Sequence, residues 1–365
     1  MLRGVSLSHL RSLGSMEFVP ATAEDYEEVM SISEGIYNGK DYLPFRYHAW
    51  LKEPNRRMFL CKKEGKIVGF RSFLLVDDGE TAVVQGLRVA PWARGQGIAG
   101  IIQRFFIETL HSEHPKVRRI RLTHADRPVP VVLKKYKLVH SKAMVTMILP
   151  SDQIEETIKL LESRLDNVEQ SNNYSILEPG EVFKLFDESK TIDELLPGGL
   201  LVQHWLPVTV QRSNLEMLLE KGVVWMYSLV HNPGISPLSS EKIVNGEPSN
   251  TFSSAHNGQD SLSSPPSMSQ TRFLSLGTPP FPIPLGEATY CLDIDMFGVD
   301  PACAKFHVVQ QLKLAIQELP EGSSIMCLVY AEKSLRTKLR RLFEGLPPFI
   351  LATEEVILEL DLQGN

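Results

Sequence analysis

The chain has 365 residues, a formal net charge of −6 and a hydrophobic content of 43%. The length allows two domains, and the composition is that of a globular protein, which excludes a wholly disordered chain. The acidic balance predicts no domain-wide basic surface and argues against a general nucleic-acid-binding protein.

The first 16 residues are expected to form an N-terminal tail. They contain Arg3, Arg11 and several serines, and the first acidic residue is Glu17. This composition mildly resembles a mitochondrial presequence, and Met16 offers an alternative start. The four cysteines lack CxxC spacing, which fits a reducing compartment. No apolar run approaches the ~18 residues of a membrane span. We therefore expect a cytoplasmic protein without a membrane partner, and favour a plain tail over a targeting peptide.

The pattern of residues 17–150 predicts a mixed α/β domain. Thr22 and Asp25 are spaced as at the start of a capped helix, and apolar residues then recur at helical intervals. A Lys63-Glu64-Gly65 turn between two apolar runs predicts a β-hairpin. The elements are expected in this order: a helix after the capped start at Thr22, a helix over Phe45–Leu51, strands over Met58–Lys62, Lys66–Val76 and Ala82–Val89, a helix from Ile98, a strand over Val117–Thr123, a helix over Pro130–Tyr136 and a strand over Ala143–Leu149.

A glycine-rich turn, Arg94-Gly95-Gln96-Gly97, joins the strand Ala82–Val89 to the helix from Ile98. The first turn of a helix has backbone N–H groups without a partner, and the helix dipole adds about half a positive charge there. A pyrophosphate fits such a site, and glycine lets it approach closely. Gly86 inside the strand indicates a bulge or a close backbone approach. One face of the helix is expected to pack on the sheet: Ile98, Ile101, Ile102, Phe105, Phe106 and Thr109.

The pattern Val89-x-Pro91-x-x-Arg94-Gly95-x-Gly97-Ile98-Ala99 resembles the acetyl-CoA signature of the GNAT superfamily of N-acetyltransferases. It follows a strand, opens a helix and comes after a helix and a hairpin, and the resemblance covers about residues 17 to 150. It implies an α/β (α+β mixed sheet) fold, acetyl-CoA as co-substrate and no metal. A dinucleotide-binding fold would need its glycine motif in the first βα turn, and this turn comes too late in the domain.

The resemblance also assigns the cofactor contacts. The strand before the turn would pair its backbone with the pantetheine arm, and the turn and helix start would bind the pyrophosphate. The residues so implied are Leu87, Arg88, Val89, Arg94, Gly95, Gln96, Gly97, Ile98, Ala99 and Gly100.

Proton transfer is less well matched to the family. Gln85 occupies the place of the family's glutamate base and cannot act as one. Glu80, His124 and Asp126, at strand ends, remain as candidate bases, an ordered water is another route, and His124 is as readily a surface or packing residue. The family tyrosine, a general acid, aligns with Leu133, whereas the nearby tyrosine is Tyr136, three residues later. Tyr136 is the remaining candidate acid, and a thiolate with a pKa of about 8.5 can also leave unaided.

Residues 151–365 predict a second domain with a long insert rich in Ser, Pro, Asn and Gly at 232–270, expected to be a loop or disordered. Asp300 followed by Pro301 predicts a helix start. The expected elements are helices over Glu181–Ser189 and Ser213–Glu220, strands over Val223–Val230 and Tyr290–Phe297, a helix over Pro301–Glu318, a strand over Ser323–Tyr330, a helix over Glu332–Glu344 and a strand over Glu354–Leu362.

The closing order, strand–helix–strand–helix–strand, repeats that of the first domain, so we expect a second, degenerate GNAT-like domain. Its junction lacks the glycine-rich turn, and Asp300 would repel a pyrophosphate. We therefore expect one CoA site, in the first half, with the second half shaping or covering the acceptor cleft. Asp293 and Asp295 are expected on a solvated strand face rather than as acceptor contacts. His111 and His114 are expected to be surface histidines at a helix end.

Over its whole length the chain resembles the vertebrate acetyltransferases that act on free L-histidine, on the segments FVPATAEDYEEVM and IYNGKDYLP, the glycine-turn block and the long second domain. The implied acceptor is a small molecule, L-histidine, whose carboxylate would need a cation. The candidate acceptor residues are Arg71 first, then Arg88 and Arg46, with Tyr42 and Tyr47 to stack on the imidazole and Gln85 beside them. Two alternatives remain open: an acetyltransferase of protein or peptide amines, and a CoA-binding pseudoenzyme scaffold.

Overall fold

The structure of the protein, a computed structural model, describes residues 11–13, 16–165, 174–196, 198–231, 270–286, 288–349 and 352–363. The predicted insert at 232–270 lies outside the described residues apart from Gln270, and the predicted tail lies outside them apart from residues 11–13 and Met16. None of the helices in the described ranges combines the length and apolar character needed to cross a lipid bilayer.

Sixteen strands are present in the described residues. They are β1 Arg11–Leu13, β2 Met16–Pro20, β3 Arg56–Lys63, β4 Lys66–Val76, β5 Thr81–Val89, β6 Arg119–Ala125, β7 Lys137–Leu149, β8 Tyr174–Ile176, β9 Leu201–Gln203, β10 Leu206–Val208, β11 Val224–His231, β12 Gln270–Gly277, β13 Phe281–Pro282, β14 Thr289–Phe297, β15 Ser324–Ala331 and β16 Glu354–Asp361.

The helices of the described residues are α1 Tyr26–Ser31, α2 Leu43–Trp50, α3 Ile98–Glu113, α4 Pro130–Leu133, α5 Ile154–Ser163, α6 Pro179–Asp187, α7 Ser189–Leu195, α8 Arg212–Glu220, α9 Pro301–Gln317 and α10 Arg336–Leu342. The elements expected in each half are present. Sequence patterns did not predict α5, α7 or the strands β1, β2, β8, β9, β10, β12 and β13. These strands other than β12 have two to five residues, which is too few for a periodicity to be visible.

Local chemistry explains where the helices begin. Asp25 accepts hydrogen bonds from the backbone and hydroxyl of Thr22, both at 2.8 Å, at the start of α1. The Asp300 carboxylate accepts from the Cys303 amide at 2.8 Å, with Pro301 in the first position of α9. Both pairs of residues were predicted to mark helix starts. At α9 the carboxylate satisfies an amide that lacks a partner within the helix, whereas at α1 the bonded amide is that of Thr22, which precedes the first helical residue, Tyr26.

Fourteen strands form one sheet in the order β1-β2-β3-β4-β5-β6-β16-β7-β15-β14-β12-β11-β8, with β13 paired to β14. Neighbouring strands are antiparallel except at two places, β5 with β6 and β14 with β15. Each parallel pair is joined by a long helix, α3 in the first half and α9 in the second. The predicted repeat of the strand–helix–strand order is therefore confirmed as a repeat of topology.

The two halves exchange strands. The last strand, β16, pairs antiparallel with β6 on one side and with β7 on the other. As a result β7, which ends the first half of the chain, lies between β16 and β15 of the second half. The boundary at residue 150 stays a prediction about the chain, while the backbone ladder is continuous across it.

The sheet positions a core on α3. Ile98, Ile102, Phe105, Phe106 and Thr109 are buried, as the helical spacing predicted. Phe105 stacks on Phe18 with ring centroids 3.9 Å apart. Because one face of α3 is held in this way, the start of the helix is fixed relative to the strand that precedes it.

Candidate active site

The strand that leads into the glycine-rich turn is bulged at Gly86. The register of β4 against β5 shifts between Phe70 and Ser72, so that Arg71 lies opposite the two residues Gly86 and Leu87. Gly86 has φ of +70°, which glycine adopts without the steric cost that a side chain brings. A Cβ at this position would also lie 3.1 Å and 3.3 Å from aromatic carbons. The bulge predicted from this glycine is confirmed.

Beyond the bulge, β5 and β6 separate. Their parallel pairing covers only Thr81–Val83 with Arg119–Arg121. From Val84 onward the edge of β5 that faces β6 has no strand partner among the described residues. Free backbone groups on such an edge can pair with an extended ligand. The backbone of Leu87 to Val89 lies on this edge.

The glycine-rich turn leaves helix amides free. Gly95 and Gly97 both have φ of +77°, and Gly97 caps α3 without a side-chain hydrogen bond. The first hydrogen bond of the helix runs from the Ile101 amide to the Gly97 carbonyl, so the amides of Ile98 to Gly100 have no partner within it. Ala99 and Gly100 line the adjoining cavity, and no atom lies within 4 Å of where a Gly100 side chain would begin.

Two side chains hold the turn in shape. Arg94 donates from Nε to the Val89 carbonyl at 3.1 Å, and Gln96 donates from Nε2 to the Trp92 carbonyl at 3.0 Å. The Arg94 and Gln96 side chains are exposed. A positive side chain, free amides and a helix N-terminus together fit the pyrophosphate of CoA.

A cavity of about 520 Å³ lies between the separated strands. Its size is in the range of small-molecule sites. Both halves of the chain line it. The first half contributes β5, β6 and α3, and the second half contributes His204, Trp205, Phe281, Asp293 and Leu328, among others. The second half therefore shapes this cavity, while its use as the acceptor cleft stays a prediction.

Two buried cations line the cavity. Arg71 is 8% exposed, its Nε has no hydrogen-bond partner, and no acidic side chain of the described residues pairs with it. Its guanidinium lies 5.6 Å from the centroid of the Phe106 ring. Lys40 is also buried, with its Nζ over the Phe349 ring, and burial lowers its pKa to about 8. An anion that enters the cavity would meet unpaired positive charge.

Two tyrosines line the same cavity. Tyr136 is buried, and Gln103 of α3 donates to its hydroxyl at 2.5 Å. Burial raises the pKa of Tyr136, so the hydroxyl keeps its proton near neutral pH. Tyr42 meets the ring of His204 edge-on, with centroids 5.7 Å apart. Burial raises the pKa of Tyr42 as well.

The tip of the β9–β10 hairpin reaches into the cleft of the first half. Its two turn residues, His204 and Trp205, have φ of +49° and +62°, a conformation that costs roughly 1–2 kcal/mol for a residue with a side chain. The Trp205 carbonyl accepts from Thr123 at 3.0 Å and from Gln85 at 3.3 Å. Because Gln85 is on β5 and Thr123 on β6, the tip bridges the two strands where they separate.

Asp293 and Asp295 hold the hairpin tip from below. His204 Nδ1 lies 2.5 Å from an Asp293 oxygen, and the His204 amide donates to Asp295 at 3.0 Å. The expectation that these aspartates lie on a solvated face is wrong, because β14 is an interior strand of the sheet and they are 2% and 0% exposed. Burial raises the pKa of Asp295 to about 7, against the opposing effect of Lys142.

The structure brings only some of the predicted catalytic residues to the cavity. His124 and Tyr136 line it. Glu80 lies at the far end of β5 from the glycine-rich turn. Asp126 is used structurally, because its carboxylate accepts from the amide and the hydroxyl of Thr353, each at 2.7 Å, where β16 begins. Glu80 and Asp126 are therefore withdrawn as candidate bases. His124 is exposed, with Nδ1 2.6 Å from the Ala125 carbonyl and 3.2 Å from the Asp126 carbonyl.

Two predicted acceptor residues serve the fold instead. Tyr47 is fully buried and donates to the Thr22 carbonyl at 2.7 Å. Arg88 is 1% exposed and paired with Asp41 at 2.6 Å. Their side chains are absent from the cavity lining. Tyr47 and Arg88 are therefore withdrawn as acceptor contacts, because each side chain bonds to a partner outside the cavity lining.

The remaining candidates stand nearer. Gln85 lines the cavity, but its Oε1 accepts from Arg56 at 3.1 Å, so its amide links the two halves. Arg46 has its guanidinium 5.1 Å from the Phe281 ring and lines a small pocket behind His204. Burial lowers the pKa of Arg46.

Sequence reasoning missed Lys40, Gln103, His204 and Trp205. For the hairpin a signal existed, since two short apolar runs are separated by two residues. It was hidden because the turn residues are His-Trp and not the glycine or asparagine that such turns favour.

Two family models match the chain. The model described as "Acetyltransferase (GNAT) family" matches residues 21–129, and that described as "Histidine N-acetyltransferase, C-terminal" matches residues 170–245 and 261–332. One match lies on each side of residue 150.

Curated relatives match nearly end to end. The chain is 33% identical over 359 residues to "Probable N-acetyltransferase 16" of Homo sapiens, covering 95% of this chain and 86% of that protein. It is 30% identical to "Histidine N-acetyltransferase" of Xenopus tropicalis and 29% identical to that of Oreochromis niloticus, covering 96% of this chain in each case and 96% and 95% of those proteins. A solved tandem GNAT protein from the clavulanic acid biosynthesis pathway aligns with a TM-score of 0.51 at 12% identity, over 95% of this chain and 98% of that one. Likeness at that identity establishes the fold, a GNAT fold followed by a second GNAT-like domain.

Proposed function

The chain belongs to the GNAT N-acetyltransferases, in the family that contains the histidine N-acetyltransferases, and on that premise we propose that it moves the acetyl group of acetyl-CoA to the α-amino group of L-histidine. The products are N-acetyl-L-histidine and CoA. The observation that carries the acceptor is Arg71, a buried cation in the cavity without an acidic partner. A free amino acid brings the carboxylate that such a cation needs.

The cofactor end of the cavity is assigned to acetyl-CoA, which supplies an acetyl group activated as a thioester. We propose that the free edge of β5, Leu87 to Val89, pairs with the pantetheine arm, and that the backbone from Arg94 to Gly100 holds the pyrophosphate. Backbone donors on the bulged strand would also stabilise the charge that develops on the thioester oxygen. The open space at Gly100 supports this assignment.

The acceptor end is assigned to residues of both halves. Arg71 holds the carboxylate, with Lys40 as a second cation. Tyr42 and His204, which pack edge-on against each other, form one aromatic wall against which the flat imidazole ring of the acceptor can pack. This arrangement positions the α-amino group near the bulge at Gly86, where the thioester would lie.

Tyr136 is proposed to give a proton to the leaving thiolate. Its hydroxyl is protonated near neutral pH, because burial raises its pKa, and Gln103 fixes its direction. Tyr136 comes three residues after the position that the family pattern implies, yet it lines the cavity.

The test is a thiol-release assay with the purified chain, acetyl-CoA and a panel of free amino acids, N-terminal peptides and lysine peptides. We expect release with histidine that far exceeds release with the peptides. Release with peptides and none with histidine would assign the enzyme to protein or peptide amines. Binding of CoA by calorimetry without release for any acceptor would indicate a pseudoenzyme.

We also propose a cytoplasmic location. All four cysteines, Cys61, Cys291, Cys303 and Cys327, are free and buried, which fits a reducing compartment. Fractionation of cells that express the full chain with a C-terminal tag tests this, since recovery in the mitochondrial fraction would point to a targeting role for residues 1–16.

A further inference from the structure

His204 occupies a place in the cavity that the fold maintains against the preferences of the backbone. Its amide donates to Asp295 at 3.0 Å, and the neighbouring Trp205 donates from its indole to the Tyr330 hydroxyl at 2.9 Å. With the two bonds to the Trp205 carbonyl, the turn is fixed to four strands of the sheet, β5, β6, β14 and β15. Turn conformations that side chains disfavour persist where the surroundings impose them, and they concentrate at functional sites.

The imidazole itself is also held. Its Nδ1 lies 2.5 Å from the Asp293 carboxylate, which fixes Nδ1 as the protonated nitrogen. The rings of Tyr42 and Phe281 meet it edge-on at centroid distances of 5.7 Å and 5.0 Å. No described residue forms a hydrogen bond with Nε2, and the side chain is 15% exposed and lines the cavity. An unbonded ring nitrogen on a fixed, carboxylate-supported imidazole that lines the cavity is the arrangement of a general base.

We propose that His204, positioned by Asp293, is the general base of the acetyl transfer, supplied by the second half of the chain to a cofactor site in the first. The inference rests on the proposed function. His204 Nε2 takes one proton from the ammonium group of the acceptor. The freed electron pair of the nitrogen forms the C–N bond to the thioester carbonyl carbon, and the C–S bond breaks with its electron pair on sulfur. The second proton lost by the nitrogen goes to that thiolate, through Tyr136, and His204 returns its own proton to solvent.

Other candidates for the base are excluded by position or chemistry. Gln85 carries no basic group, Glu80 is at the other end of β5, and Asp126 accepts from Thr353. His124 lines the cavity, but its Nδ1 lies 2.6 Å from the Ala125 carbonyl and no carboxylate of the described residues pairs with it. Of the bases considered, His204 is the one that combines a carboxylate partner, an unbonded ring nitrogen and a place in the cavity.

The surroundings of His204 favour its neutral form. Burial lowers its pKa, while the Asp293 carboxylate acts in the opposite direction and Arg46 and Lys221 add to the lowering. The charged and titratable groups that face it are Asp293, Asp295, Tyr42, Arg46, Glu53, Arg56 and Lys221. A neutral imidazole accepts a proton, so the activity should fall as the pH drops through the pKa of His204, below the ordinary value of 6.5.

The decisive variant is His204→Asn. Asparagine tolerates a positive φ better than most residues, and its amide can still donate to Asp293, so the turn is retained while the base is lost. We expect kcat to fall roughly 100- to 10,000-fold, with the affinity for CoA unchanged by calorimetry. The matched control is His140→Asn, which removes another carboxylate-paired histidine, bonded to Glu332 at 2.8 Å and outside the cavity, and should leave kcat within twofold.

Asp293→Asn separates positioning from structure. Loss of the carboxylate lowers the pKa of His204 further, so the acidic limb of the profile of kcat/KM should move to lower pH while the rate falls about tenfold or more. The acceptor's own groups titrate identically in both proteins, so the difference belongs to the enzyme. A lower rate with an unmoved limb would show that Asp293 only supports the fold.

The outcomes distinguish the two proposals. The rates of the variant and of the wild-type chain are compared on whichever amine the wild-type chain acetylates. If the wild-type chain acetylates other amines but not histidine, the proposed acceptor is refuted. The proposal for His204 is then judged by the ratio of the two rates on the amine that reacts. His204→Asn with kcat within threefold of wild type overturns the inference. A raised KM with unchanged kcat also overturns it and assigns His204 to acceptor binding. A wild-type chain that acetylates no amine overturns both proposals.

Discussion

The two strand-to-helix junctions of this protein share a topology and differ in backbone chemistry. In the first half, β5 pairs with β6 over three residues, Thr81–Val83, and then separates from it at the Gly86 bulge. In the second half, β14 stays paired with β15 over seven residues, Thr289–Asp295. Only the first arrangement leaves an open strand edge beside a helix start.

The helix starts differ in the same sense. Gly97 caps α3 without a side-chain bond and leaves amides free. At α9, the Asp300 carboxylate accepts a hydrogen bond from the Cys303 amide, and its negative charge lies where a phosphate would have to bind. Further along α9, His307 is buried between the hydroxyls of Ser228 and Ser275, and burial lowers its pKa to about 3. This helix is a core element.

The difference teaches that strand–turn–helix order does not make a cofactor site. The site requires backbone groups that nothing in the protein satisfies, and the first half alone keeps them free at its junction. The second half instead satisfies its own junction and contributes side chains to the cavity of its neighbour. The two halves therefore differ in which backbone groups their junctions leave free, and substitutions at three positions test that difference.

The largest effect is expected from Gly97→Glu. The left-handed φ of +77° costs a residue with a side chain roughly 1–2 kcal/mol, and the new carboxylate would stand against the pyrophosphate at the helix start. We expect the affinity for CoA to fall by more than 100-fold in calorimetry. Gly65→Glu is the matched control, with φ of +78° in the exposed β3–β4 turn, and should bind CoA as the wild type does. Tight binding by the Gly97 variant would refute the site.

A smaller effect, confined to the acceptor, is expected from Arg71→Gln. A hydrogen bond to a charged group contributes about 1.5–3 kcal/mol, so the KM for histidine should rise roughly 10- to 100-fold while the affinity for CoA is retained. Steady-state kinetics with varied histidine measure this. Arg57→Gln, at an exposed arginine of the adjoining strand, should change the KM by less than twofold. An unchanged KM in the Arg71 variant would show that the carboxylate of histidine binds to another residue, and Lys40 would be the next residue to replace.

The smallest effect is expected at the second junction. Asp300→Ala removes the cap of α9 and should lower the free energy of unfolding by about 1 kcal/mol, whereas Asp300→Asn keeps a capping oxygen and should lower it by less. Chemical denaturation measures both. Neither variant should bind a second CoA, because β14 remains paired to β15. If calorimetry gave two CoA molecules per chain, the negative charge of Asp300 would by itself be what prevents CoA binding at the second junction.

Much of the first half was predictable from the sequence because its signals are local. Gly86 and Gly97 mark positions that require a positive φ, and Thr22 and Asp25 mark a helix start within three residues of each other. The burial of Asp293 was not predictable. An alternating strand has the same sequence pattern whether one face is solvated or covered, and the sheet order decides which applies.

By itself, the sequence determined the order of most of the longer elements, the bulge and the glycine-rich turn, since each depends on the conformations of residues adjacent in the chain. Only the tertiary structure decided how the cavity is completed. The exchange of β16 into the first half, and the bridge from Trp205 to Gln85 across 120 positions, are long-range pairings. His204 meets Asp293 across 89 positions, so no local pattern could reveal their meeting, which results from the packing of one half against the other.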